Sequence, residues 1–254
     1  MKNSINEIQK YYDKRIETAK DEISASGQWF PKELTSKMCE EICKKINIKK
    51  NENILEIGSG SDVLGNYLRK NCNEYVGIDI SFKMLNYSNK KNHSDKLNLI
   101  QTTSHTLPIA CSTFDVIVMN SVSMYLKEDS IFNESMKEIK RVLKPNGKIF
   151  IGENVTSERI YWEYNWFNNL NRVTQLFAKI YIKFRINLAK KNSKLSGKWK
   201  NYYRELSKIE LQKIFGNKVV IEMSDACCYS VRKKFINTKN LGNRRIDFLI
   251  SFKE

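Results

Sequence analysis

The sequence predicts a doubly wound α/β fold, built on a mostly parallel sheet of seven strands. Three observations carry this. A short apolar run, Asn53-Ile54-Leu55-Glu56-Ile57, breaks at Gly58 and Gly60 and passes into a helical pattern with Val63, Leu64, Tyr67 and Leu68 on one side. Strand and helix patterns then alternate through the middle of the chain, which argues parallel strands with helices on both faces. The last segment, Arg245–Lys253, alternates as Ile246, Phe248, Ile250 and Phe252, as an edge-region strand does.

Taken in order, residues 4–24 place Ile5, Ile8, Tyr12, Ala19 and Ile23 at helical spacing, predicting an amphipathic helix that ends at Gly27. A bulky turn, Gln28-Trp29-Phe30-Pro31, leads to a second helix with Leu34, Met38, Ile42 and Ile46 on one stripe. Strands are expected at 53–58, 74–80, 97–102, 114–120 and 147–153, with helices at 62–72, 81–90 and 128–143. The pattern then changes, and 158–204 does not fit the next helix and strand of such a sheet. That helix reads as Lys208–Phe215, followed by a strand at Val219–Met223. No repeat or Pro/Ser-rich linker divides the chain. We therefore expect one domain over 1–254: a helical arm at 1–50, a core at 51–156, a helical insertion after the fifth strand at 157–205, and a closing helix and strands at 206–254.

Composition narrows the class. A chain of 254 residues, 41% hydrophobic, is long enough for a sizeable core. No stretch reaches the apolar length of a membrane span, and the first residues show no apolar signal region, so a soluble, cytoplasmic protein is expected. The six cysteines form no Cys-x-x-Cys and there are two histidines, which argues against a metal site. The net charge of +16 is uneven. Residues 1–156 hold 23 Lys/Arg against 20 Asp/Glu, whereas 157–254 hold 21 against 8.

The chemistry concentrates at the first turn. Glycines there let backbone approach a ligand, and the following helix offers free N–H groups. Asp79 closes the second strand, Tyr75-Val76-Gly77-Ile78-Asp79, about 20 residues past the glycines, where a carboxylate suits ribose hydroxyls. A nicotinamide fingerprint would need a third glycine where Val63 stands. The phrase Glu56-Ile57-Gly58-Ser59-Gly60, with Leu107-Pro108, Phe114-Asp115-Val116-Ile117 and Ile139 to Gly147, resembles the class I S-adenosylmethionine-dependent methyltransferases of small-molecule type. The resemblance covers about residues 50–155 and implies a Rossmann-like fold and S-adenosylmethionine as cofactor.

The resemblance also implies roles. Glu56, Gly58, Ser59 and Gly60 form the first motif, against which the methionine part would lie. Asp79 would take both ribose hydroxyls, Ile80 would pack on adenine, and Asn120 would face the methionine end. Thr103 stands where the family often has an acid beside the adenine amine, and the backbone of Ser104 or His105 is the substitute. Asp62 stands where a third glycine is common, as a helix N-cap or as a partner of the cofactor's ammonium group. Asn146 replaces a turn glycine, a change that Asn tolerates. Tyr11, Tyr12, Trp29 and Phe30 of the arm are placed to fold over the cofactor, or to pack the arm on the core. Should the acceptor be a hydroxyl, His105, Tyr125 and Glu153 are the candidate bases, and Trp29 and Tyr125 are candidate acceptor contacts.

The insertion is the basic part. From Tyr164 to Arg204 there are ten basic residues and no acid. Arg172, Lys179, Lys183 and Lys190 form one stripe on a helix expected over 168–191, with Val173, Leu176, Phe177, Ile180, Tyr181, Phe184 and Leu188 beside it. The stripe suits a solvated face, a cap drawing an anionic acceptor to Arg172, Lys179 and Lys183, a peripheral membrane contact, or nucleic acid. The sequence does not choose among these. The leading expectation is methyl transfer to a small, anionic or lipid-linked acceptor; the alternatives are a nucleic-acid methyltransferase and a binding module without turnover.

Overall fold

A computed structural model describes residues 2–26, 31–91, 97–155, 171–177, 180, 204–227 and 245–252. The alternation of apolar residues along each strand sets its layers. In β1 (Asn53–Ile57), Ile54 faces one side, while Leu55 and Ile57 face the other. In β4 (Phe114–Asn120), Val116 and Val118 oppose Ile117 and Met119, and in β5 (Leu143–Val155) Phe150 opposes Ile149 and Ile151. Both faces are therefore apolar, as parallel strands between helical layers require. With β2 (Glu74–Asp79), β3 (Asn98–Gln101), β6 (Val219–Asp225) and β7 (Arg245–Phe252), the sheet runs β3-β2-β1-β4-β5-β7-β6. β7 alone runs against the direction of the other six strands.

The strand order reverses direction between β1 and β4. This is the switch point of a doubly wound sheet, where the loops leaving two adjacent strands diverge and open a crevice. One face of the sheet is covered by α6 (Asp129–Val142), through Phe132, Met136, Ile139 and Val142, and by α7 (Lys208–Phe215), through Leu211 and Phe215. The other is covered by α3 (Lys32–Ile46), through Cys39, Ile42 and Ile46, and by the short α4 (Gly65–Leu68). The second N-terminal helix is thus a core layer, and the arm is narrower than the expected 1–50.

The expected first helix is also divided. α1 (Lys2–Thr18) stops, and α2 (Glu22–Ala25) restarts behind Asp21, whose carboxylate accepts from the Ser24 N–H at 2.7 Å while the Asp21 N–H donates to Ser24 Oγ at 3.0 Å. This reciprocal cap starts a new helix, which side-chain periodicity alone does not reveal. α5 (Phe82–Lys91) follows β2 as expected. The helix expected at 62–72 begins later, because Asp62 takes left-handed backbone (φ 67°) and cannot serve as its N-cap. Among the described residues no helix is long and apolar enough to cross a membrane.

The antiparallel edge is stapled by one buried acid. Asp247 of β7 accepts from the Glu153 N–H at 2.9 Å, the Cys227 N–H at 3.0 Å and Lys45 Nζ of α3 at 2.6 Å. A bulge in the β5–β7 register between Ile151 and Asn154 removes the Glu153 N–H from the ladder, and Asp247 replaces the lost partner. Asp247→Ala should therefore cost about 3 kcal/mol or more, since two buried N–H groups and an ammonium lose their acceptor. Urea unfolding measures this; a loss below about 1 kcal/mol would show that the staple is replaceable by water.

Candidate active site

The crevice floor is the turn after β1. Gly58 (φ 74°) and Gly60 (φ 53°) hold left-handed backbone, and the N–H groups of Gly58 and Ser59 both donate to Ile78 O, at 2.8 and 2.9 Å. A Cβ on Gly58 would lie 2.3 Å from Val122 Cγ2, so the β1 and β4 loops touch there. At Gly60 a Cβ would meet nothing within 4 Å among the described residues, which leaves its backbone open to a ligand. Asp79 joins this turn to the β2 loop, one carboxylate oxygen accepting from the Gly60 N–H at 3.0 Å and the other from the Ser81 N–H at 2.8 Å. Burial pushes its pKa up, and the two N–H bonds oppose that rise. Each oxygen keeps a lone pair for a hydroxyl donor.

Beneath the turn lies a sealed polar network. Tyr75 Oη donates to Glu56 at 2.6 Å and lies 3.4 Å from Asp62. Asp62 makes a two-pronged pair with Arg69, at 2.6 and 2.5 Å. Asp62 therefore points into the interior, toward Arg69 rather than toward a ligand's ammonium group. Gly65 makes the room: a Cβ there would lie 2.0 Å from Asp62 Oδ1 and 2.4 Å from Tyr75 Oη. Full burial raises Glu56 to about 8, and Asp62 shifts upward for the same reason.

The β4 and β5 loops supply the opposite wall. Asn120 ends β4 with its side-chain oxygen buried and without a hydrogen-bond partner among the described residues. Gly152 leaves room for that oxygen, since a Cβ there would meet it at 2.2 Å. Ser121 (φ 59°) and Glu153 (φ 60°) adopt left-handed backbone, as Asp62 does, so strained residues follow β1 and β4 and sit in the bulge near the end of β5, at the same edge. Such strain collects at functional sites. Buried Glu153 has its carboxylate 3.4 Å from Arg245 Nη1. Arg245 had no motif to mark it: β7 runs antiparallel, which brings its first residue to this edge.

α1 crosses the opening. Tyr12 Oη and Tyr125 Oη hydrogen-bond at 3.0 Å with their rings edge to face, and Asp13 accepts from Ser81 Oγ at 2.5 Å. Burial is the main reason the Tyr12 phenol is raised. α2 follows onto the turn, Glu22 O accepting from Ser61 Oγ at 2.6 Å. The remaining expected residues scatter. Half-buried Ile80 and Thr103 lie at the β2 and β3 ends, and Thr103 Oγ1 is 3.5 Å from His105 Nε2. The Ser104 hydroxyl is bound to Ser135 Oγ of α6 at 2.8 Å, which leaves only its backbone for a ligand. His105 thus sits on the β3 side, while Tyr125 and Glu153 sit on the β4–β5 side. Arg172 is exposed; Trp29, Lys179 and Lys183 lie outside the described residues.

A family profile described as "Methyltransferase domain" matches residues 55–151, the stretch from β1 to β5 that forms this crevice. Residues 55–151 thus carry a methyltransferase domain. Curated relatives include a demethylmenaquinone methyltransferase of Lactobacillus johnsonii, 30% identical over 43% of this chain and 47% of its own. Another is an uncharacterized methyltransferase, YdaC, of Bacillus subtilis, 31% identical over 42% and 59%. The chain spans about half the length of these relatives. Solved structures extend the likeness beyond the profile. Phosphoethanolamine N-methyltransferase 1 of Haemonchus contortus, with phosphoethanolamine and S-adenosylhomocysteine, has a TM-score of 0.68 at 14% identity, covering 99% of this chain and 49% of that one. N-methyltransferase NodS of Bradyrhizobium japonicum gives 0.60 at 12%, covering 97% and 98%. At such identities the likeness shows the fold.

The methyltransferase domain's buried network makes a pH prediction. Folded Glu56 keeps its proton to about pH 8, whereas the unfolded carboxyl ionises near ~4.3. The stability this gives is complete below the lower value and is lost as pH rises through the upper one. Glu56→Gln removes the titration but keeps an acceptor for Tyr75. Its stability relative to wild type should rise with pH across this window, by up to ~1.4 kcal/mol per unit. Urea unfolding at a series of pH values would show a flat difference if Glu56 does not titrate there.

Proposed function

We propose that the chain transfers a methyl group from S-adenosylmethionine to a small, anionic or lipid-linked acceptor. The observation that carries the cofactor part is Asp79. Its carboxylate is fixed by the Gly60 and Ser81 N–H groups at the mouth of the switch-point crevice, with lone pairs left for a ribose diol. The unpartnered Asn120 oxygen on the far wall suits an ammonium donor, so the crevice offers complementary groups at both ends. A sulfonium-bound methyl group is already reactive. What remains for the protein is to align an acceptor and exclude water.

Tyr12 and Tyr125 close the crevice from above and shield it from solvent. Glu153 is placed to take a proton from the acceptor, held in position by its bulge and by Arg245. The acceptor class rests on different support. The phosphoethanolamine and demethylmenaquinone in these similar proteins' names are small molecules, and residues 157–254 hold most of the basic excess. Arg204 does not add to that field, because its guanidinium is paired with Asp129 and Glu210 and stacked 3.9 Å above the Phe132 ring.

Calorimetry with S-adenosylhomocysteine tests the cofactor part. Wild type should bind it in preference to NAD. Asp79→Ala should lose about 1.5–3 kcal/mol, the scale of hydrogen bonds to a charged group. Glu153→Gln should keep that affinity while methyl transfer from labelled cofactor into host extract falls on the order of a hundredfold or more. Preference for NAD, or no binding, would overturn the proposal.

A further inference from the structure

The described part of the insertion has an apolar face that is exposed among the described residues. Residues 172–177 and 180 are helical, and Asn171 begins the turn by accepting from the Thr174 N–H at 2.9 Å and from its hydroxyl at 2.7 Å. Val173, Leu176, Phe177 and Ile180 fall at i, i+3, i+4 and i+7, on one side of that helix. All four are exposed, between 57% and 66%. Such positions on a helix of a folded domain normally face the core. Arg172 borders this face, and the sequence from Tyr164 to Arg204 carries ten basic residues and no acid.

Both ends of the insertion leave from the rim of the crevice. β5 ends at Val155 on the edge that carries Glu153, and Arg204 returns to the same edge, its N–H donating to Met124 O at 2.7 Å. Met124 lies next to Tyr125. An apolar helix face with a cationic border is the arrangement that settles into the headgroup boundary of an anionic bilayer. Four aliphatic and aromatic side chains on one side favour lipid over nucleic acid, where aromatic stacking and phosphate contacts would be expected.

We propose that this helix docks the protein on anionic lipid surfaces, with Val173, Leu176, Phe177 and Ile180 entering the boundary and Arg172 at its border meeting the headgroups. Docking would bring the rim of the crevice to the bilayer surface, and so deepens the lipid-linked side of the proposed acceptor class. The test is co-sedimentation of the full chain with vesicles of phosphatidylcholine alone and of phosphatidylcholine mixed with phosphatidylglycerol. It needs neither cofactor nor acceptor, so its outcome is separate from that of the methyl-transfer proposal.

Wild type should bind the mixed vesicles and bind the neutral ones at least about tenfold more weakly. A Leu176→Asp, Phe177→Asp variant should lose at least about tenfold in binding to the mixed vesicles while its melting temperature stays unchanged, since both side chains are exposed. Absence of wild-type binding at low salt would overturn the proposal, as would undiminished binding by the variant. Tighter capture by a single-stranded oligonucleotide, or a dimer that the variant breaks in sedimentation velocity, would assign the face to nucleic acid or to a second copy and overturn it equally.

Discussion

A carboxyl group buried without a formal countercharge of its own governs the crevice. Glu56 stands on the face of β1 that carries Ile54, within an apolar layer built by α3 and α4. Burying it is tolerable only because Tyr75 donates to it and because its proton stays on to about pH 8. The Tyr75 hydroxyl in turn needs the space left by Gly65 and lies beside the Asp62–Arg69 pair. Asp62 reaches Arg69 by taking left-handed backbone, and that conformation ends the turn that begins at Gly58. The position of the Gly60 N–H, and with it the grip on Asp79, follows from what is sealed underneath.

The second constraint is the edge where β7 enters. The bulge in β5 turns Glu153 out of the ladder and leaves its N–H to Asp247. Asp247 is also held by Lys45 from α3 and by the Cys227 N–H at the end of β6. One acid thus ties a sheet-covering helix, the antiparallel strands and a candidate acceptor residue together. The crevice has a rigid cofactor wall made by the β1 and β2 loops and a wall on the acceptor side made by β4, β5 and β7. α1 bridges them through Tyr12 and Asp13.

Much of the fold was legible because strand alternation and helical stripes are local. Leu34, Met38, Ile42 and Ile46 marked α3 directly, and all four are buried. What was not legible depends on partners far away in sequence. α3 read as part of an arm because nothing local says that Cys39 and Ile42 share one buried cluster with Val116 and Phe150. Asp62 read as a helix cap because its partner Arg69 and the gap at Gly65 exist only in three dimensions. Glu56, Gly58, Gly60 and Asp79 were found from spacing, since one turn and two adjacent strands bring them together. Arg245 carries no motif and reaches the rim through the antiparallel path of β7.

The central claim is that the switch-point crevice, with α1 across it, is where the S-adenosyl group binds. Amide hydrogen exchange with and without S-adenosylhomocysteine tests it most directly, because the readout is residue by residue and independent of the acceptor. Exchange should slow at Ser59–Ser61, at Asp79–Ser81 and along α1 around Tyr12. Slowing confined to the β6–β7 edge, or no change anywhere under saturating ligand, would contradict the account.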